Sequence, residues 1–377
     1  MIQERDKTET GRIAILLFNL GGPDGPDAVR PFLFNLFNDP AIIGAPALIR
    51  WAIATLISRR RAPFARQNYA LMGGGSPLLP ETQAQARALE ADLAGRGMIV
   101  KAWPVMRYWH PFADRVAAEV KAWAPDRIVA LPLYPQYSTS TSASSLKDWV
   151  KVARRAGLDV PTTTLCCYPR QPGLIRAHAE LIAERWRQAE TGGDGGPARP
   201  VRLLLSAHGL PKKIIERGDP YQWQVEQSCA AIVAALAPLI GRSGPDDLDW
   251  QVCYQSRVGP LEWIGPSTDA EVERAGRDGR ALIVVPVAFV SEHVETLVEL
   301  DIEYRELAEK AGAMPYYRVP TPSVHPAFIG GLGDLVVQGL DRLTASGGRP
   351  VAPDVAGTGC PASFSQCACR AARLSHA

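Results

Sequence analysis

The sequence predicts an α/β protein made of two similar halves, each a largely parallel sheet covered by helices. Two observations carry that reading. Strand-like and helix-like patterns alternate along the chain, as strand–helix–strand crossovers require. Two stretches also recur in the same order: ILLFNLGGP (15–23) returns as VRLLLSAHGLP (201–211), and IVALPLYPQYS (128–138) as ALIVVPVAFVS (281–291), with Pro132 and Pro286 in like places. Each is an apolar strand opening into a turn, and both pairs together point to a duplicated domain.

Element by element, RIAILLFNL (12–20) reads as a buried strand ended by Gly21, Gly22 and Pro23. DAVRPFLFNLF (27–37) reads as a helix with Asp27 at its N-cap. A polar, alanine-rich helix spans 81–96 and leads into the strand MIVKAWPVM (98–106). ADRVAAEVKAWA (113–124) has amphipathic helical spacing, and RIVALPLYPQ (127–136) is the next buried strand. It opens into a Ser/Thr-rich loop and the helix SLKDWVKVARRAG. A helix over 174–188 precedes the polar insert ETGGDGGPARP (190–200), where the halves should divide. The expected limits are a tail at 1–11, a first domain at 12–173 with an apolar lip at 31–57, a second domain at 174–325, a helix at 326–346 packing back, and a cysteine-bearing tail at 347–377. From about Thr344 the chain is rich in small residues and should be poorly ordered unless something ties it down.

Length and composition fit this architecture. The 377 residues are too many for one ordinary domain and suit two. At 46% hydrophobic and 21% charged, the chain can build a sizeable core. With 41 Lys and Arg against 39 Asp and Glu, the net charge of +2 argues against nucleic-acid binding through bulk charge. No apolar run reaches the ~18–20 residues of a membrane span, since Pro46 and Arg50 interrupt the best candidate. The segment MIQERDKTETGR is charged and lacks the apolar centre of a secretory signal. Seven cysteines, three of them crowded near the end, do not form a secreted disulfide framework. The expectation is a reduced, cytoplasmic, two-domain protein.

In open α/β sheets, ligands bind beyond the carboxyl ends of the strands. That rule selects Asn19–Pro23, Tyr134–Ser145, Ser206–Leu210 and Ser291–Glu303. The second holds seven hydroxyl residues between Ser138 and Ser145, readable either as a turn-and-cap cluster or as an anion-holding helix start. It lacks the glycine spacing and lysine of a phosphate loop. His208, in SAHGLP, stands just past a buried strand, where a proton acceptor is useful. On a regular helix begun at Glu292, the residues Glu292, Glu295, Glu299, Glu303 and Glu306 fall within an arc of about 80°. A solvated helix face would intersperse lysines at i+4; here glutamate repeatedly follows glutamate, so a cation is a plausible resident. His293 lies at the edge of this stripe. Cys360, Cys367 and Cys369 suggest zinc or an iron–sulfur cluster completed from elsewhere, with Cys166 and Cys167 as upstream candidates; Cys229 reads as helix core and Cys253 as strand core. The run 31–57 is unusually apolar and is followed by Ser58, Arg59, Arg60 and Arg61. That is either the pattern of a membrane-surface element or a buried helix pair beside a solvated basic run.

Together these segments resemble ferrochelatase, the terminal enzyme family of haem synthesis. The likeness runs from about Ile13 to Leu343 through FNLGGP (18–23), FNDPAII (37–43), GGGSPL (73–78), MRYWHP (106–111), LPLYPQYS (131–138), SAHGLP (206–211), YQSRVGPLEWIGP (254–266) and FVSEHVETLVELDIEY (289–304). The resemblance implies two Rossmann-like, doubly wound domains with parallel four-stranded sheets and a porphyrin cleft between them. It implies Fe²⁺ and protoporphyrin IX as substrates and peripheral attachment to the inner-membrane surface through the apolar lip. A homodimer is compatible with it, and no nucleic acid is expected. It assigns His208, Glu295, His293, Glu299 and Glu303 to catalysis, with His208 and Glu295 also handling the substrate iron. Arg60, Arg61 and Ser76 match positions that meet the porphyrin propionates, and Leu20, Tyr69, Arg107, Tyr108, Tyr134 and Trp263 match cleft-lining positions. Some members hold a [2Fe–2S] cluster through three C-terminal cysteines, which Cys360, Cys367 and Cys369 resemble. Animal members take the fourth ligand from the YPQYS-x-S segment, where this chain has Thr139; Cys167 or Cys166 is then left to complete the set. The rival readings are a chelatase for coproporphyrin III or another metal, and a non-catalytic iron or iron–sulfur sensor. The intact His208 and carboxylates speak against a sensor, which needs no proton acceptor.

Overall fold

The computed structural model describes residues 11–191, 199–257, 261–345 and 359–369. The charged N-terminus, most of the polar insert at 190–200, and the chain between Ala345 and Gly359 lie outside the described residues, as does the chain beyond Cys369. Strand β1 (Ile13–Asn19) is buried along its whole length, as an apolar run covered on both faces must be. It lies at the centre of a parallel sheet with β2 (Val100–Met106), β3 (Arg127–Pro132) and β4 (Thr162–Thr164), in the order β2-β1-β3-β4. The second sheet holds β5 (Val201–His208), β6 (Trp250–Gln255), β7 (Ala281–Pro286) and β8 (Tyr316–Arg318) in the order β6-β5-β7-β8, again all parallel. The two orders are the same permutation. The repeated sequence pairs are β1 with β5 and β3 with β7, and the two prolines end equivalent ladders: Pro132 pairs with Phe18, and Pro286 with Ser206. A residue without an N–H belongs at such an end rather than inside a central strand.

The first half adds α1 (Val29–Phe37), α2 (Ala47–Ala70), α3 (Leu78–Gly95), α4 (Ala113–Trp123), α5 (Ser142–Ala156) and α6 (Pro172–Glu190). The second adds α7 (Lys212–Glu216), α8 (Tyr221–Leu239), α9 (Thr268–Arg277), α10 (Tyr304–Ala311) and α11 (Pro326–Ala345). Phe18, Trp103 and Ile128 meet α4 and α5 on one face of the first sheet. On the other face, Ile15, Leu17 and Val129 meet α3, α6 and, from the far end of the chain, Phe328, Leu332 and Leu335 of α11. Helix α6 also joins the second half's core through Ile182 and Trp186, which pack with Val225 and Ile232 of α8. The halves therefore share helices rather than hanging on a linker.

Three local expectations need correction. Asp27 does not cap a helix: Pro26–Ala28 forms a 3₁₀ turn entered from Gly25, and α1 starts only after it. The acidic helix does not start at Glu292. Helical backbone begins at Val294, and Glu295–Glu303 is a π-helical stretch that continues into α10. Glu292 instead accepts hydrogen bonds from Arg318 Nη1 (2.7 Å) and Thr321 N (2.9 Å), tying the loop after β7 to β8. Glu306 is on the outer face with Lys310 at 3.7 Å. The carboxylate row thus reduces to Glu295, Glu299 and Glu303. In an α-helix, residues four apart drift by about 40°; the wider π turn cuts that drift and stacks these three more nearly in one line. Cys229 and Cys253 are fully buried, in α8 and β6 as expected.

Candidate active site and thiol cluster

β5 ends on His208, whose side chain leaves the sheet at its carboxyl edge. Its Nδ1 is 2.9 Å from Glu295 Oε2, and Tyr221 of α8 donates to its backbone carbonyl at 3.0 Å. The ladder sets Gln255 opposite His208 on β6. Gln255 Nε2 donates to the Glu295 main-chain carbonyl and to Glu299 Oε2, both at 3.1 Å. Ser256 follows, held at φ 62°, a conformation unusual for a residue with a side chain. Its N–H donates to Glu299 Oε1 at 2.9 Å, and its hydroxyl lies 2.5 Å from Glu299 Oε2 and 3.5 Å from Glu295 Oε2. His293 is buried, with Nε2 4.0 Å from Glu295 Oε2.

This packing separates the proton affinities of the groups. Burial opposes ionisation of Glu295, but the facing His208 outweighs it and pulls the carboxyl down to about 2. Burial likewise opposes protonation of His208, and the Glu295 charge overcomes it, so the imidazole titrates above its ordinary range. At Glu299 the His208 charge weighs less: burial and then the Glu295 charge push it up to about 7. His293 is lowered, chiefly by burial. Glu303 lies further along, exposed, hydrogen-bonded to Asn68 of α2 and raised by burial and Glu306. The row runs from a half-buried anion to solvent.

Of the other residues singled out in the sequence, Leu20, Tyr69 and Tyr108 share an apolar cluster with Phe32, Leu33 and, from the second half, Val294. Tyr69 is near enough to Glu295 for that charge, after burial, to raise its phenol. Trp263 stands edge-on to His208 with ring centres 6.4 Å apart. Ser76 donates its N–H to Pro23 O at 2.7 Å and packs against Gly22, where a Cβ would lie 2.4 Å from the Ser76 hydroxyl. Arg60 and Arg61 are exposed on α2, Arg61 over the Phe37 ring. Arg107 is engaged inside the protein: it pairs with Asp39 at 2.8 Å and donates to Ser144 at 2.9 Å, while Tyr108 donates its hydroxyl to the same Asp39 oxygen. Arg107 and Tyr108 also border a separate pocket of about 570 Å³ between the lip, α4 and α5. Tyr134 packs beside the α5 core, and burial raises its phenol. Ser256, Gln255, Tyr221 and Asp39 were not singled out in the sequence. Gln255, Ser256 and Asp39 sit inside motifs quoted above, YQSRVGP and FNDP, but amide, hydroxyl and carboxylate alone carried no signal of their partners.

The tail returns to the body of the protein. Gln366 N donates to Gly218 O at 3.1 Å, and Phe364 packs on Trp223 with ring centres 5.7 Å apart. This brings the three tail cysteines against the two upstream ones. Cys166 Sγ lies 3.1 Å from Cys369 Sγ and 3.5 Å from Cys167 Sγ, and Cys360 and Cys369 each interact with the Cys367 thiol. Cys367 is almost wholly buried.

An imidazole and a row of graded carboxylates, placed where two doubly wound halves meet behind an apolar lip, define a two-domain metal chelatase. The family model described as Ferrochelatase matches residues 12–340. The chain is 54% identical over 361 residues to the ferrochelatase of Phenylobacterium zucineum, with 95% of this chain and 98% of that protein covered. It is 55% identical over 363 residues to that of Caulobacter vibrioides, covering 96% and 98%. Among solved structures, the sirohydrochlorin chelatase of Bacillus subtilis in complex with cobalt aligns at a TM-score of 0.49 and 11% identity over 89% of this chain and 97% of that one. The chain belongs to the ferrochelatase family, and is a metal-chelating lyase.

Proposed function

We propose that the chain inserts Fe²⁺ into protoporphyrin IX to give protohaem, releasing two protons, through the residues gathered on His208. The observation that carries this is the hydrogen bond between His208 Nδ1 and a Glu295 held anionic. Once the imidazole has passed on its own Nε2 proton, Nδ1–H stays donated to Glu295 and Nε2 carries the lone pair that takes a pyrrole proton. Glu295 then stabilises the imidazolium formed. The Ser256 hydroxyl reaches both carboxylates and links Glu295 to Glu299, which near neutral pH can take a proton and give it up again. Glu303 completes the way out to water. Carboxylate oxygens are weak, exchangeable ligands for a divalent cation, and Glu295 with His208 serves the incoming iron as well as the outgoing protons. Leu20, Tyr69 and Trp263 offer apolar and aromatic surface to a flat macrocycle, and Arg60, Arg61 and Ser76 meet its propionates.

The macrocycle is apolar and arrives from a membrane surface. No helix among the described residues is long and apolar enough to cross one. The lip instead turns Leu48 (86% exposed), Trp51 and Phe64 outward beside Arg59, Arg60 and Arg61, which supports peripheral attachment.

A [2Fe–2S] cluster needs four thiolates. Five thiols meet here in one largely buried place, where neighbouring sulfurs and burial make the unliganded thiolates costly: Cys166 is raised by its contacts with Cys167 and Cys369, and then by burial. The donor set fits the cluster, with Cys360, Cys367, Cys369 and Cys167 or Cys166 as ligands. A cluster held by these cysteines would supply a one-electron centre and tie the tail to the body; insertion of Fe²⁺ itself moves no electron.

The test of the reaction is anaerobic mixing of the protein with protoporphyrin IX and Fe²⁺. Protohaem absorption should replace that of the free porphyrin with two protons released per haem, and His208→Ala should keep its fold while losing roughly 10²–10⁴-fold in rate. Near-wild-type turnover by that variant would remove His208 from the chemistry.

A further inference from the structure

The proposed cluster leaves its fourth ligand open between Cys166 and Cys167, adjacent in sequence and both buried. Their surroundings differ. Gln224, in the first turn of α8, is fully buried and accepts the main-chain N–H of Tyr137 on its side-chain oxygen at 2.7 Å. A main-chain N–H can face only an acceptor, so this contact fixes the amide: oxygen toward Tyr137, NH₂ away from it. The NH₂ group then meets two sulfurs, Cys360 at 3.2 Å and Cys167 at 3.4 Å. The hydrogen bonds of Cys166, by contrast, run to the sulfurs of Cys369 and Cys167.

Neutral thiols are weak acceptors, whereas hydrogen bonds to an ionised acceptor are roughly twice as strong. A buried amide that directs both hydrogens at sulfur is therefore well satisfied when those sulfurs are thiolates, the form that binds iron. We infer that Gln224 marks Cys167 as the fourth cluster ligand and, by donating to Cys167 and Cys360, raises the cluster's reduction potential. The inference rests on the cluster reading above. Adding one electron increases the negative charge on the ligand sulfurs, and N–H donors aimed at them stabilise the reduced form more than the oxidised one. Gln224 is thus a positioning residue, acting on the cluster and not on the porphyrin. Cys166 remains a protonated fifth thiol beside Cys369.

The test uses full-length protein purified anaerobically, with a mediated dithionite titration in which dithionite supplies the single electron per cluster. Gln224→Glu keeps an oxygen for Tyr137 but turns the donors into a charged acceptor. Gln224→Leu removes the donors without adding charge. Both should shift the midpoint potential negative, Glu further than Leu, in protein whose far-ultraviolet dichroism matches wild type. Cys167→Ser should bleach the protein and Cys166→Ser should leave it coloured. Unmoved potentials in coloured Gln224 variants, or the opposite result for the two cysteines, would overturn the inference while leaving the cluster in place. Colourless wild-type protein without iron would overturn both.

Discussion

At the residue scale, the proposed site rests on neighbouring acids that are made unlike. Glu295 faces an imidazole and is held anionic; Glu299, one turn on, faces hydroxyl and amide donors and keeps its proton to about pH 7. That difference has a thermodynamic consequence. Glu299 binds its proton more tightly folded than unfolded, where it titrates near its ordinary 4.5, so its contribution to stability is complete below 4.5 and is lost as pH rises through 7. Glu299→Gln cannot lose it. Relative to wild type, that variant should therefore gain stability between pH 4.5 and 8, by up to about 3 kcal/mol at ~1.4 kcal/mol per pK unit. Denaturant melts at the two pH values check this, and a stability difference independent of pH would show that Glu299 is not perturbed. His208, Glu295 and Glu299 were legible in the sequence because a strand end and an acidic row are local patterns. Ser256 and Gln255 were not, because their importance comes from β5–β6 register, which pairs His208 with Gln255 across 47 residues of chain.

At the scale of elements, the 3.6-residue period finds the acidic helix but misses its π turn. A regular 3.6-residue period gathers Glu292 and Glu306 into the row; the π stretch and the late start at Val294 remove both. Sequence carries little warning of a π turn, whose Leu300 packs with Val272 of α9 and with Leu204 and Val284 of the second sheet. The lip shows the converse. Its apolar content was legible, but the two readings offered for it divide one helix pair between them. Phe32, Leu33 and Tyr69 turn inward, while Leu48, Ile49, Trp51 and Phe64 turn outward. Burying a leucine-sized side chain is worth roughly 1.5–3 kcal/mol, and each arginine near an anionic surface adds about 1 kcal/mol. Wild-type protein should float with anionic vesicles at low salt, and replacing Leu48 and Trp51 together by Ser should leave it at the bottom of the gradient. Wild-type protein that fails to float contradicts the membrane role. Equal flotation of both proteins would move the contact away from this face.

At the scale of the molecule, duplication accounts for the placement of the proposed site. Equivalent central strands, β1 and β5, end in equivalent turns: the first meets the lip cluster at Leu20, the second bears His208. Sequence revealed the repeat through two apolar strands and their prolines. It could not reveal the short strands β4 and β8, three residues each and below any periodic signal, nor which distant segments the tail would join. The tail residues now sit against Gly218, Trp223 and the upstream thiols, so the proposed cluster, if bound there, should act as a clasp on α8, whose Tyr221 also holds the His208 carbonyl. Replacing Cys360, Cys367 or Cys369 by Ser should abolish a reddish-brown colour and lower the melting temperature together; colour lost with an unchanged melt would detach the cluster from stability. The central claim is that pyrrole protons leave through the pair His208–Glu295. Its most direct test is stopped-flow recording of proton release during Fe²⁺ insertion by wild type and Glu295→Gln, with porphyrin binding followed by fluorescence in the same samples. The account predicts two protons per haem for wild type, and for Glu295→Gln intact porphyrin binding with release slowed by roughly 10²-fold or more; release at the wild-type rate in that variant would contradict it.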